Sequence, residues 1–332
     1  MIKRRSHRRS IITAVAVVGM ILTCGLYLGY RLQLRPVAAT GPAKEFAVAA
    51  GDNAPRIAQH LLDAGLIRDR TAFVTYVNFH GLRPRLKVGR YLLAPTQSAD
   101  QIADTLASGH TLTKRLTVPE GYRLTQIETA AAAVGISQAD FKAALSAPHA
   151  QSFLTGKPAS VDLEGYLFPD SYQIDSTTTA TTLVNDMLDT FGKRVGPEYV
   201  QTFTAEGLTL HQGLTLASMV EREVNIPADR PIVAQIFLKR LRLGQTLGSD
   251  VTAHYAAELL GVPFSVDIDS HYNTRRYPGL PPGPICSPGL SALDAAAHPA
   301  ATDYLFFLSG KDGKTYFAKT LAEHNQNIAK HL

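Results

Sequence analysis

"LASMVEREVNIPADRP", residues 216–231, reads as the end of an apolar helix, a break at Pro227 and the start of a second helix. Just upstream, Leu214, Ala217, Ser218 and Glu221 follow the i, i+3, i+4, i+7 spacing of one helical face, while Leu216, Met219, Val220 and Glu223 share another. Apolar residues on both faces predict a helix over about 211–224 that is buried on most sides. Glu221 and Glu223, two positions apart, then point roughly 200° away from each other and do not work as a pair from one helix. Burial makes a carboxylate harder to ionise, and a glutamate raised towards neutrality can donate a proton near pH 7. The structural alternative is an ion pair with Arg222, Arg230 or Arg240. The residues alone do not choose between the two glutamates.

Downstream, Asp229 is the expected N-cap of the second helix, Pro231 fits its first turn, and Gly244 follows its end. Ile232, Val233, Ile236, Phe237 and Arg240 mark its inward stripe. "LGSDVTAHYA" then sets Asp250 near the N-terminus of a short helix, where capping is its structural reading. In "NTRRYPGLPPGPICSPG", residues 273–289, prolines and glycines exclude helix and sheet. They predict a stiff path that either crosses the fold or walls a groove and presents backbone polar groups to a ligand.

Before the central helix lie "VDLEGYLFPDSYQI" at 161–174, a Thr-rich turn at 176–182 and a helix at 183–195. Earlier still a pattern recurs. "FAVAAGDNAPRIAQHLLDAGLI" from 46 and "LTVPEGYRLTQIETAAAAVGI" from 116 align at an offset of 70, pairing Phe46 with Leu116, Val48 with Val118, Gly51 with Gly121, Ile57 with Ile127 and Gly65 with Gly135. Each copy alternates like a strand, turns at glycine and continues as an amphipathic helix. Between them, 87–109 repeats the logic, with Ser98 as the N-cap and Gly109 as the stop. The first unit resembles a LysM-like domain, the small βααβ fold associated with binding the N-acetyl sugars of cell walls; an unrelated α+β spacer is the alternative.

The N-terminus differs from the rest. Lys3, Arg4, Arg5, Arg8 and Arg9 form a basic tail, and residues 11–30 contain no charge. Twenty such residues span about 30 Å as a helix, enough for a bilayer core. The basic flank predicts a cytoplasmic N-terminus with the remainder outside. The length favours an uncleaved anchor over a signal peptide, whose apolar region is shorter; "ILTC" at 21–24 is a poor lipoprotein cleavage site because of Thr23. Eight of the 33 Lys/Arg precede Glu45, leaving 25 against 28 Asp/Glu beyond it. The body is therefore slightly acidic, which argues against nucleic acid as a partner. Cys24 and Cys286 are the only cysteines, with no CxxC and no clustered Cys/His set, so neither a disulfide nor a metal site is expected.

These readings give an α+β protein of 332 residues. A basic tail (1–10) leads into a single transmembrane helix (11–30) and a linker (31–44). A small LysM-like α+β module (45–115) precedes a mixed α+β catalytic domain (116–332), of which 116–160 partly repeats the module.

"EGYLFPDSY" (164–172), "LASMVERE" (216–223), "RPIVAQIFLKRLRLGQTLGSD" (230–250), "GLPPGPICSPG" (279–289), "AAAHPAATDYLFFL" (295–308) and "FAKTLAEHNQNI" (317–328) together resemble the endolytic murein transglycosylases of the MltG/YceG-like family. The order matches and the resemblance covers essentially the whole chain. Two departures concern sugar contacts. Gly248-Ser249-Asp250-Val251-Thr252 stands where the family usually has Gln-Ser/Thr-Asp-Pro-Thr, and Arg275 stands where an aromatic often follows Asn-Thr.

The resemblance implies that Glu221, the first of the Glu-x-Glu pair, is the catalytic acid. It implies cleavage of the β-1,4 bond between N-acetylmuramic acid and N-acetylglucosamine in nascent peptidoglycan strands, leaving 1,6-anhydro ends. Glu164, Tyr166, Asp250, Tyr255 and Asn273 are the expected substrate-binding residues. No cofactor is required. The family also implies an inner-membrane location with a periplasmic catalytic domain, and a role in ending glycan elongation near peptidoglycan synthases. Two competing readings are a non-catalytic wall-binding scaffold with a structural Glu221, and a hydrolytic muramidase in which Asp250 activates water.

Overall fold

One helix, α1 (Lys3–Gln33), carries the apolar N-terminal run. The computed structural model describes residues 3–109 and 111–332, with side chains from Ala16 onward; the side chains of the basic tail lie outside the described residues. From Ala16 to Gln33 the helix is long and apolar enough to cross a membrane. Met20, Ile21, Leu22, Leu26 and Leu28 on it are exposed.

The chain forms two units, one running to Lys114 and including Ile174–Thr177, the other holding Arg115–Gln173 and Thr178–Leu332. In the first, β1 (Lys44–Val48) is followed by α2 (Ala54–Asp63), α3 (Arg70–Phe79), β2 (Gly89–Leu93) and α4 (Ala99–Ser108). β1 and β2 are antiparallel, with Phe46 opposite Tyr91. Alternation along β1 buries Phe46 and Val48, which join Ile57, Leu61, Phe73, Leu93, Ile102 and Leu106 in one core. The buried Tyr91 hydroxyl donates to the Lys87 carbonyl at 2.6 Å, which removes the cost of enclosing it. The order is βααβ with a further helix.

The second unit opens on the same plan seventy residues later. It has β3 (Lys114–Thr117), α5 (Leu124–Val134), α6 (Gln138–Ser146) and β4 (Ser171–Ile174), and β3 pairs with β4. The glycines aligned in sequence occupy equivalent turns: Gly51 and Gly121 have φ of +86° and +78°, and Gly65 and Gly135 have +66° and +107°. Such values favour glycine, because a Cβ is strained there.

An all-helical layer follows, with α7 (Ala180–Arg194), α8 (Pro197–Ala205), α9 (Leu210–Glu223), α10 (Arg230–Arg242), α11 (Asp250–Leu260) and α12 (Leu290–Ala297). The hairpin β5–β6 (Phe306–Ser309, Thr315–Ala318) and α13 (Leu321–His331) close the chain. Helix α9 is the axis of this unit. Its residues from Gly213 to Val220 are all buried, against α8, α10, α11 and α12. Apolar side chains on every face thus become contacts with four neighbours.

Several expected ends shift for identifiable reasons. The Thr-rich stretch ends as a cap: Thr179 accepts the Thr182 amide, so α7 begins at Ala180. Asp229 makes no side-chain cap; a 3₁₀ turn over Pro227–Asp229 leads directly into α10. Residues 273–289 contain neither helix nor strand, in keeping with their prolines. Cys24 and Cys286 are both free.

Close packing around α9 gives a direct test. A Cβ on Gly213 would drive into the fully buried Phe203 ring of α8. Gly213→Ala is therefore expected to destabilise the protein by about 1–3 kcal/mol despite the better helix propensity of alanine, read as a lower urea midpoint in the unfolding of this unit.

Candidate active site

The backbone of residues 285–289 is strapped across α9 and against the turn after β3. Ser218 Oγ of α9 accepts the Ile285 amide at 3.0 Å. Ser287 exchanges two backbone hydrogen bonds with the turn: its carbonyl accepts from Gly121 at 2.8 Å, and its amide donates to Tyr122 at 2.7 Å. The next amide, of Gly289, donates to Glu221 Oε2 at 3.1 Å. Gly289 is the N-cap of α12, so the positive end of that helix faces the carboxylate.

The other oxygen of Glu221 accepts from Arg230 Nη2 at 2.8 Å, and both side chains are only 8% exposed. Arg230 Nε donates to the Val224 carbonyl at 3.2 Å, one of those left free by the end of α9. The guanidinium is thereby fixed in orientation, and Glu221 with it. Two fixed donors on an enclosed carboxyl group define where its oxygens stand.

Glu120, at the tip of the turn after β3, stands beside this group. Its carboxyl fills the space where a side chain at 289 would lie, and the adjoining Gly121 position is within contact of the Glu221 and Arg222 side chains. Burial, then the charge of Glu221, pushes its carboxyl above the usual carboxylate range, with Arg230 acting in the opposite sense. Sequence reasoning passed over Glu120. The signal was in the repeat, where the position before the shared glycine is Ala50 in the first copy and glutamate in the second.

Glu223 leaves α9 on the opposite side, as its spacing from Glu221 requires. Ser249 Oγ donates to its Oε1 at 2.5 Å. Burial raises its carboxyl from an ordinary 4.5 to about 7, with Asp250 adding to the rise and Ser249, Arg240 and Arg275 opposing it. Because the Ser249 hydroxyl is committed there, α11 has no side-chain cap at its N-cap residue.

The remaining sequence-derived site residues fall into separate places. Glu164 is buried, accepts the Leu124 amide at the start of α5 at 3.1 Å and 3.3 Å, and receives the Tyr255 hydroxyl at 3.5 Å. Enclosure, then Asp162, raises its carboxyl to about 8. The Arg123 guanidinium lies 4.5 Å from the centre of the Tyr255 ring, a cation–π contact. Glu164 and Tyr255 are thus brought together, with Arg123 as a third member.

Asp250 is exposed and paired with Arg275 at 2.6 Å. That residue is the one standing where the family often has an aromatic. Tyr166 is turned into the core: its hydroxyl meets His211 Nδ1 at 2.9 Å, while His211 Nε2 reaches the Pro282 carbonyl at 2.8 Å. The carbonyl requires a donor, so Nε2 carries hydrogen and Nδ1 accepts from the tyrosine. Asn273 is fully buried; its Nδ2 donates to the Val266 and Ile268 carbonyls, and its Oδ1 accepts from the Arg275 amide at 3.1 Å. Tyr166, through His211, and Asn273 are thus both engaged with the 273–289 segment. Among the described residues, no group of three or more His, Cys, Asp or Glu side chains could hold a metal ion.

Fold and site define an α+β protein whose central helix carries one enclosed carboxylate, fixed by an arginine and a helix N-terminus. The YceG-like family model matches residues 46–330, and the chain belongs to that family. It is 31% identical over 370 residues to the endolytic murein transglycosylase of Streptococcus pneumoniae serotype 2 (strain D39 / NCTC 7466), covering 98% of this chain and 66% of that one. The chain thus spans just under two thirds of that relative. The endolytic murein transglycosylase of Bacillus subtilis (strain 168) is 33% identical over 308 residues, covering 86% of this chain and 84% of its own. A crystal structure of a YceG-like protein from Listeria monocytogenes matches with a TM-score of 0.57 and 32% identity, over 86% of this chain and 99% of that one.

The raised carboxyl of Glu223 predicts a pH dependence. A carboxyl that is harder to ionise in the fold keeps its full contribution below its unfolded value near 4.5 and loses it as pH climbs through about 7. Glu223→Gln removes this titration, so its stability relative to wild type should rise between pH 5 and pH 8. The upper bound is on the order of 3 kcal/mol, measurable by urea unfolding at both pH values.

Proposed function

We propose that this protein is a membrane-anchored endolytic murein transglycosylase with Glu221 as its single acid–base group. The observation that carries the reading is the Glu221 carboxyl, enclosed on α9 and held by Arg230 and the Gly289 amide. Membership of a family with relatives named endolytic murein transglycosylase supplies the reaction class.

In this reading, Glu221 gives its proton to the oxygen that leaves on the N-acetylglucosamine side. The bond from that oxygen to the anomeric carbon of N-acetylmuramic acid breaks. The 6-hydroxyl of the same muramic residue then bonds to that carbon, and its proton passes to the Glu221 carboxylate. The acid is restored, a 1,6-anhydro end forms, and no water is consumed. Most glycosidases need a second carboxylate as nucleophile or to activate water; here the nucleophile belongs to the substrate, and its 2-acetamido group can help stabilise positive charge.

The pair formed by Glu164 and Tyr255, with Arg123, is assigned to sugar binding together with Asp250. The βααβ order of the first unit supports a LysM-like, glycan-binding role for it. Helix α1 supports a single-pass anchor in the inner membrane, N-terminus inside, with the catalytic domain in the periplasm, where nascent strands and their synthases would be the partners. The hydrolytic alternative, with Asp250 activating water, is weakened by the pairing of Asp250 with Arg275.

Nascent glycan digested by the wild-type protein is expected to give anhydro ends by mass, and Glu221→Gln should lower their yield at least a hundredfold. Glu223→Gln should cost less than about tenfold in rate. Reducing ends from wild type would replace this reading with hydrolysis, and no products at all would leave a wall-binding scaffold.

A further inference from the structure

Helix α1 does not reach the first unit through a free tether. Leu34, just past its end, is buried in the core of that unit, and Tyr30 packs against the same core beside Tyr76 and Leu86. The chain beyond is fastened as well. Ala99, the first residue of α4, donates its amide to the Leu34 carbonyl at 2.9 Å, and Ala38 donates to Pro95 at 3.0 Å. The Arg68 guanidinium binds the Pro36 and Val37 carbonyls at 2.8 Å and 3.2 Å. The Tyr76 phenol of α3 stands near Tyr30 and Arg31, one turn nearer the apolar run than Leu34. Contact with the unit thus extends from Leu34 back towards the end of the span.

From Tyr76 a row of rings leads outward along α3. His80 stacks on Tyr76 with ring centres 4.0 Å apart, and Phe79 stands edge-on to His80 at 5.5 Å. Phe79 is 86% exposed, an unusual place for a phenylalanine that has no ligand or partner to cover it. The 3₁₀ turn Arg83–Arg85 follows directly, with both arginines exposed. From Arg70 to Ala99 the chain carries five Lys/Arg and no acidic residue. Arg90 is paired with Glu45, but among the described residues Arg83 and Arg85 have no ion-pair partner. The acidic residues at this end, Asp100 and Asp104, belong to α4 and share the neighbourhood of Tyr76 with Arg31.

We propose that this edge of the first unit lies on the bilayer that α1 crosses, with Phe79 entering the lipid interface and Arg83 and Arg85 holding anionic phospholipid headgroups. A single exposed aromatic ring binds a membrane weakly; joined to basic side chains and to a span fixed in the same unit, it needs only a short approach. Basic groups near an anionic surface are attracted within a Debye length, the reach available to residues on a unit fastened to α1. The span and the edge together would then set the orientation of the first unit on the membrane, which a span alone leaves free to tilt.

This inference rests on reading α1 as a membrane anchor, and the experiment separates the two. The chain contains no tryptophan, so Phe79→Trp gives the full-length protein a single reporter at an exposed site. Leu22→Trp, within the span, reports on the anchor. Each is placed in nanodiscs of phosphatidylglycerol or of phosphatidylcholine, with and without acyl-chain bromination. Phe79→Trp is expected to lose about half its emission to brominated phosphatidylglycerol at low salt. Each arginine should contribute about fivefold to the ratio of docked to free edge. Adding Arg83→Gln and Arg85→Gln should therefore abolish most of the quenching, as should phosphatidylcholine or about 1 M salt. Quenching that is equal in both lipids and indifferent to the arginines overturns the proposal, because tryptophan's own preference for interfaces would account for it. So does an unquenched Phe79→Trp beside a quenched Leu22→Trp, or one whose emission shifts only on adding glycan strands; the anchor then stands. An unquenched Leu22→Trp overturns the anchor reading itself, and the proposal with it.

Discussion

Arg230 reaches back over the break at Pro227 to grip both the end of α9, through the Val224 carbonyl, and Glu221, through its carboxyl. This contact depends on a chain of constraints. Burial on all sides makes α9 rigid; the 3₁₀ turn over Pro227–Asp229 sets where α10 begins; and that start sets the guanidinium. Both partners are nearly enclosed, so removing one would strand the other without water, which is far costlier than losing an exposed ion pair. The arrangement is therefore fixed before any ligand arrives, as electrostatic preorganisation demands.

The segment 273–289 has a complementary part. Its prolines leave few backbone donors and its path forms neither ladder nor helix, yet the remaining amides are placed on specific acceptors: Ser218, Tyr122 and Glu221. Asn273, Tyr166 and His211 maintain it from behind, each with its hydrogen-bonding capacity engaged in the interior. The stretch is thus a rigid crossover and a donor of backbone polar groups at once. The two roles that its composition left open are compatible, because strapping the loop to α9 is what aims the Gly289 amide.

Most of the secondary structure was legible. Helix α9 runs over Leu210–Glu223 against an expected 211–224, since its apolar positions repeat at helical spacing and Thr209 caps it. The repeat at an offset of 70 was legible through glycines that need positive φ. Less legible was the use of single polar side chains. Ser249, Asp229, Tyr166 and Asn273 are all residues with good local roles as caps, turns or surface contacts. The hydroxyls of Ser249 and Tyr166 took partners that only folding brought near, Glu223 and His211.

By itself the sequence determined that a helix buried all round carries two diverging glutamates, that a charge-free run precedes an acidic body, and that residues 273–289 are irregular. Periodicity, hydropathy and backbone stereochemistry are local properties, and they need no knowledge of neighbours. Tertiary structure alone decided which glutamate meets Arg230 and which meets Ser249, that Glu164 joins Tyr255, and that Glu120 stands beside Glu221 across a hundred residues of chain. Proton affinity is set by the charges, amides and enclosure within a few ångströms, whatever their distance along the chain. Those surroundings exist only once the helices have packed.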